Sequence, residues 1–258
     1  MYLDDIIEHH RARASADSRD IDGLITEARA VEPIRSFTDA IFETSRDHLA
    51  VIAEIKRRSP SKGELNLSLN PATIAINYEI GGATCVSVLT DEKFFGGSVN
   101  DLLDARRSTR LPVLRKDFVV CAADVCDTRI MGADCVLLIA AALSVASLSE
   151  LYRVAREIGL DVLIEVHDAE ELERALGLGA TLIGVNQRNL ATFEVDYDLA
   201  EQLSPLFPAG VAKVAESGVR NSNDAARLRG IGFDAVLVGE SLITSPNISA
   251  SIKGLLAR

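Results

Sequence analysis

The chain has 258 residues, 48% of them hydrophobic, and 27 Lys and Arg against 38 Asp and Glu give a net charge of −11. That length fits one large α/β unit without requiring a second, the mean hydropathy of +0.16 excludes a disordered chain, and the negative balance argues against a general binder of nucleic acid or anionic membrane. Aromatic residues are 5% and Trp is absent, so any surface that stacks on a flat ring must be built from 8 Phe and 4 Tyr.

Residues 1–48 precede the first strand-like run and read as a helical extension, with helices over 3–14, 20–30 and 36–44. Asp20 is placed to cap the second, and Pro33 interrupts the chain before the third. Beyond it, Gly82-Ala83-Thr84, Gly132-Ala133-Asp134, Gly179-Ala180-Thr181 and Gly232-Phe233-Asp234 each precede an apolar run and recur roughly every fifty residues, the length of two strand-helix units. Runs at 51–56, 85–89, 113–116, 135–140, 162–166, 182–186, 211–216 and 235–239 are short, continuous and rich in Val, Ile and Leu, as parallel strands covered on both faces require. Between them, 150–158 and 169–176 show helical apolar spacing with charges on the other face. Eight strands alternating with helices predict an α/β fold, a (β/α)8 TIM barrel in a single domain over 1–258, with 1–48 as its helical extension. A doubly wound open sheet is the alternative, but the first strand runs into Lys56-Arg57-Arg58-Ser59-Pro60 rather than a G-x-G-x-x-G turn. The polar segment opening with Ser59-Pro60-Ser61-Lys62-Gly63 is long for a strand-to-helix connection and reads as a mobile loop over a site.

Cys85, Cys121, Cys126 and Cys135 form no C-x-x-C pair, and His9, His10, His48 and His167 have no metal-binding spacing, so no metal is expected. Residues 1–10 are acidic, without a basic and apolar leader, and no apolar run reaches about 18 residues, so a cytoplasmic protein with reduced thiols is expected.

In a barrel of this kind, reacting groups sit at the C-terminal strand ends, where the loops share one mouth. Those ends carry Glu54 and Lys56, Lys116, Glu165, Asn186 and Glu216, with every charge on an odd-numbered strand. Alternate strands feed the same interior layer, and residues two apart face the same side, so these groups converge. A lone charge after a strand is an ordinary solvated residue. Several together, buried and of mixed sign, point to tuned proton transfer, with Lys116 either a proton donor or a Schiff-base former. The last two strands end in Glu216-Ser217-Gly218 and Val238-Gly239-Glu240-Ser241, glycine turns ahead of helices at the usual phosphate position. Arg188 is placed to add a charged hydrogen bond to the same anion.

Ile52-Ala53-Glu54-Ile55-Lys56-Arg57-Arg58-Ser59-Pro60-Ser61 resembles the first-strand motif of the indole-3-glycerol phosphate synthases. Leu114-Arg115-Lys116-Asp117-Phe118, Leu163-Ile164-Glu165-Val166-His167, Ile183-Gly184-Val185-Asn186-Gln187-Arg188-Asn189-Leu190, Val214-Ala215-Glu216-Ser217-Gly218 and Leu237-Val238-Gly239-Glu240-Ser241-Leu242 are similar to that family's later motifs, in order and over essentially the whole chain. The resemblance implies closure of the ring of 1-(2-carboxyphenylamino)-1-deoxyribulose 5-phosphate with loss of CO2 and water, a carboxy-lyase step of tryptophan biosynthesis that needs no cofactor. It further implies Lys116 as general acid at the substrate carbonyl, Glu165 as acid/base in the dehydration, Lys56 as a second acid, Glu54 and Asn186 as positioning groups, and Glu216 as the last member of the polar layer. Ser59 and Pro60 would shape the first loop. Phe95, Phe118, Leu137 and Leu237 would hold the aromatic ring, and Ser217, Gly218, Gly239, Glu240 and Arg188 would surround the phosphate. Its partner is then the small phosphorylated substrate, and the protein is a monomer or in transient contact with other enzymes of the pathway. Another phosphate-binding barrel enzyme, such as phosphoribosylanthranilate isomerase, and a non-catalytic ligand-binding relative are the competing readings. One stretch departs from the family: Cys121-Ala122-Ala123-Asp124 stands where relatives usually have an Asp-Pro-Tyr-Gln-like segment, so the packing beneath Lys116 is expected to differ.

Overall fold

The computed structural model describes residues 2–59 and 62–256. Eight parallel strands close into a barrel: β1 (Ala50–Ile55), β2 (Cys85–Leu89), β3 (Val113–Lys116), β4 (Cys135–Ile139), β5 (Asp161–Val166), β6 (Leu182–Asn186), β7 (Ala212–Glu216) and β8 (Ala235–Val238), each paired with its sequence neighbours and β8 with β1. The sequence runs predict all eight to within a residue or two at each end. Strand β1 stops at Ile55, leaving Lys56 just beyond the last paired residue.

Side chains alternate in and out of the barrel wall as the pleat demands. Ala50 and Ile52 join Leu114, Leu137, Leu163, Leu182, Val214 and Leu237 in the barrel interior, while Val51, Ala53 and Ile55 pack outward against the helices. The outer layer comprises α4 (Pro71–Gly81), α5 (Glu92–Phe95), α6 (Val99–Ser108), α7 (Ala122–Ile130), α8 (Val145–Glu157), α9 (Ala169–Gly177), α10 (Leu199–Leu203), α11 (Ser222–Gly230), α12 (Glu240–Ile243) and α13 (Ile248–Leu255). Helix α8 starts five residues before the sequence pattern does, because the Ser144 side chain accepts the Ser147 N–H and caps it there.

The extension forms α1 (Tyr2–Ala16), α2 (Ile21–Ala30) and α3 (Phe37–Ser45), and Asp20 caps α2 through the Gly23 N–H as expected. It wraps the barrel from one end to the other. Helix α1 crosses the mouth, where Arg11 donates to the Ala142 carbonyl after β4 and Arg13 pairs with Asp124. Helix α2 lies against α7, and α3 closes the opposite end with Phe37 and Ile41 fully buried. That end is pinned by two buried carboxylates: Asp161 Oδ2 accepts the Phe37 and Thr38 N–H groups, and Asp134 Oδ1 accepts the Arg35 N–H. Within the segment after β1, read from the sequence as a mobile loop over a site, Arg58–Ser59 and Gly63–Glu64 pair as a two-residue antiparallel hairpin, with Pro60 and Ser61 outside the described residues.

Phe37 plugs the barrel end, so its truncation leaves a void that cannot collapse. Phe37→Ala is expected to lower the unfolding free energy by about 3–5 kcal/mol, measured by equilibrium urea denaturation.

Candidate active site

The strand ends enclose a cavity of about 400 Å³ at the mouth of the barrel. Every residue expected at the site and described in the structure lines it: Glu54, Lys56, Ser59, Phe95, Lys116, Phe118, Leu137, Glu165, Asn186, Arg188, Glu216, Ser217, Gly218, Leu237, Gly239 and Glu240. Pro60 lies outside the described residues.

The polar layer consists of one extended network around Lys116 and a separate ion pair of Lys56 with Glu54. Lys116 Nζ donates to Glu165 Oε2 at 2.9 Å and lies 3.5 Å from Glu216 Oε2. Lys56 Nζ meets Glu54 Oε1 at 2.6 Å, as their two-residue spacing requires. Asn186 donates from Nδ2 to Glu165 Oε1, and its Oδ1 accepts from the Ser217 hydroxyl and the Arg188 N–H. All three carboxylates are almost completely buried, and each lysine keeps about 17% of its side chain exposed toward the cavity. Two glycines make room for this layer. A Cβ at Gly184 would overlap Glu216 Oε1, and one at Gly239 would come within 2.6 Å of Glu54 Oε1.

Burial alone would drive a proton off Lys116, but the carboxylates of Glu165, Glu216 and Glu54 outweigh it and raise its pKa well above the ordinary lysine value. The nearby arginines do not oppose this. Arg57 turns away to Asp101, Arg58 toward the Glu92 and Lys93 carbonyls, and Arg115 to Thr90 and Asp117. A lysine held as an ammonium is a donor of protons and hydrogen bonds and a poor nucleophile. Burial acts upward on Glu165, yet Lys116 first and His167 next pull it far below the carboxylate range. Glu216 has Oε1 buried without a hydrogen-bond partner; burial and the Glu165 charge, against the opposing pull of Lys116, raise its pKa to about 8.

Opposite walls differ in chemistry. Phe95 and Phe118, with ring centroids 6.0 Å apart, stand with Leu137 and Leu237 on an apolar side. The other side is the pair of glycine turns. Ser217 (φ 65°) and Gly218 (φ 79°) both hold left-handed backbone, a conformation that is strained for serine. The Glu240 carboxylate lies 3.9 Å from Lys62 Nζ, and both residues line the cavity. Arg188 is steadied by donating to the Phe193 carbonyl. The departing segment is accommodated beneath Lys116: Asp124 Oδ2 accepts the Val120 N–H, and Arg115 donates to the Asp124 carbonyl and the Thr128 hydroxyl.

Several contributions escape the sequence reading, two of them at the polar layer and the mouth. Leu3 and Ile6 of α1 line the cavity, so the extension is part of the site. His167 places Nε2 at 3.3 Å from Glu165 Oε1 and Nδ1 at 3.1 Å from Glu171 Oε2. The signal for His167 was its spacing, two residues after Glu165 and hence on the same side of the chain.

The family model described as indole-3-glycerol phosphate synthase matches residues 3–255. The chain is 46% identical over 257 residues to indole-3-glycerol phosphate synthase 1 of Streptomyces coelicolor, covering 99% of this chain and 94% of that protein. It is likewise 46% identical over 235 residues to the indole-3-glycerol phosphate synthase of Bordetella pertussis, covering 91% and 90%. Among solved structures, an N-acetylmannosamine-6-phosphate 2-epimerase from Clostridium perfringens superposes with a TM-score of 0.62 at 16% identity, over 84% of this chain and 94% of that one, a likeness of fold.

Burial lowers the proton affinity of His167, but Glu165 and Glu171 reverse this and raise its pKa from 6.5 to about 10. Its charge therefore stabilises the fold fully below the unfolded value and ceases to do so as the pH climbs through the folded one. The stability difference between the parent chain and His167→Asn, from urea unfolding, is expected to be greatest near pH ~6 and to shrink toward pH ~10.

Proposed function

We propose, on the premise that the chain belongs to the indole-3-glycerol phosphate synthase family, a division of labour within its active site. The enzyme is a carboxy-lyase of tryptophan biosynthesis that converts 1-(2-carboxyphenylamino)-1-deoxyribulose 5-phosphate to indole-3-glycerol phosphate, CO2 and water. The observation that supports the assignment is Lys116, held as an ammonium between Glu165 and Glu216 and facing a cavity with an apolar wall on one side and glycine turns on the other.

The substrate's aromatic ring rests against Phe95, Phe118, Leu137 and Leu237, and its phosphate takes backbone N–H groups at Ser217, Gly218, Gly239 and Glu240 with the Arg188 guanidinium. Ser59 forms the adjoining edge of the first loop. Held at both ends, the substrate presents its ketone oxygen to Lys116. The ring carbon bearing the carboxyl attacks the ketone carbon as Lys116 protonates the oxygen; the carbon–carboxyl bond then breaks, CO2 leaves, and its electron pair restores the ring. The new hydroxyl departs as water, assisted by Lys56, and the neighbouring methylene gives up a proton to Glu165. In the free enzyme Glu165 is too strongly paired to be a good base. Transfer of the Lys116 hydrogen bond to substrate releases it. Glu54 and Asn186 hold Lys56 and Glu165 in place, and Glu216 completes the layer. No step calls for a cofactor or metal.

The reduced cytoplasm is part of this proposal, supported by four free cysteines. Among the described residues no helix is long and apolar enough to cross a membrane.

Incubation of the purified chain with the substrate is expected to yield the fluorescence of indole-3-glycerol phosphate, and its absence overturns the proposal. Lys116→Ala should lower kcat by about a thousandfold, with inorganic phosphate still protecting the fold against heat. Arg188→Ala should raise KM by about tenfold with kcat little changed, the pattern of a lost charged contact to a group that does not react.

A further inference from the structure

His10 lies on the inner face of α1 and is 1% exposed. Two carboxylates from successive strand ends converge on it: Asp91 Oδ2, after β2, at 3.0 Å from Nε2, and Asp117 Oδ1, after β3, at 3.9 Å. The facing atoms of all three side chains lie within 4.8 Å of one another. A carboxylate accepts and does not donate, so Nε2 carries the hydrogen that separates the two acids.

Each acid uses its oxygens to fix one wall of the cavity. Asp91 Oδ1 accepts the N–H groups of Phe94 and Phe95 and caps α5. Asp117 Oδ1 accepts the Phe118 N–H, while its Oδ2 is held by the Thr90 hydroxyl and Arg115. The His10 ring itself lies 5.6 Å from that of Phe118. Ile6 and Ile7, buried beside it, give α1 an apolar anchorage of its own. What His10 adds is direction: one side chain of the extension reaches both carboxylates that set the backbone of Phe95 and Phe118.

We propose that His10 is a positioning residue, through which α1 fixes the spacing of Phe95 and Phe118 and thereby the grip on the substrate's aromatic half. The inference rests on the active-site reading above and assigns it a specificity determinant outside the barrel. Without His10, Asp91 Oδ2 loses its hydrogen-bond donor and a void opens beside Asp117 and the Phe118 ring, so the two phenylalanine backbones are no longer held at a fixed spacing.

The test separates the two halves of the substrate. An N-alkylated 2-aminobenzoate probes the aromatic wall and glycerol phosphate the glycine turns, each titrated by calorimetry against the full chain, alongside kcat and KM. In His10→Ala the benzoate affinity should fall and the substrate KM rise by about tenfold, while glycerol phosphate binds as before. His10→Gln, whose amide N–H can reach Asp91, should recover most of the loss. Equal weakening of both probes, an unchanged benzoate affinity, or a Gln variant no better than Ala would each overturn the proposal. Should the parent chain bind both probes but form no indole product, the proposed function fails, while the comparison of half-ligands still decides the role of His10.

Discussion

Three carboxylates and two ammonium groups share one buried layer at the mouth of the barrel, and most of the site follows from the need to compensate them. Charges removed from water are tolerated only when opposed and hydrogen-bonded. Lys116 is held by two acids, Glu165 by a lysine, an amide and an imidazole, and Lys56 by Glu54. The layer has one negative charge more than its ammonium groups cancel. His167 supplies a positive charge from the rim, and the high proton affinity of Glu216 supplies a second way of meeting the same excess. The backbone bends to this requirement as well, since Gly184 and Gly239 occupy the places where any side chain would collide with a carboxylate.

The barrel and the polar layer were legible in the sequence for one reason. Parallel strands buried on both faces are continuous apolar runs, and a charge at the end of such a run stands out against them. Lys116, Glu165 and Glu216 could be read this way because each interrupts or ends a stretch of Val, Leu and Ile. Helix ends set by a side-chain cap rather than by apolar spacing were less visible, as the early start of α8 at Ser144 shows. Contacts between distant segments left almost no trace. Nothing local in Leu3, Ile6 or His10 says that α1 crosses the mouth, because those residues look like any apolar helix face until the fold brings Asp91 and Asp117 beneath them. The hairpin after β1 was equally hidden, being only two residues long on each side and without the alternation that marks a strand.

The extension also changes what the barrel is. A barrel of this type has a stable end and a reactive end, and sequence variation is ordinarily divided between them. Here a single stretch of chain serves both, with Phe37 and Ile41 closing the first and Leu3, Ile6 and His10 finishing the second. The two ends are joined by α2, which is tied to α8 through Arg29 with Glu157, and by Arg19 just before it, which pairs with Asp127 of α7.

This wrapping puts the surfaces that receive the extension later in the chain than the extension itself. Helix α1 emerges from the ribosome before any barrel strand, yet the surface it docks on comes from the ends of β2, β3 and β4, and the pocket for Phe37 is finished only when β7 is in place. A helix made before the barrel strands thus has no docking surface until the chain has been made as far as Ala142. Until then the apolar face of α1 has no partner within the barrel, and Phe37 of α3 waits longer, until β7 has been made.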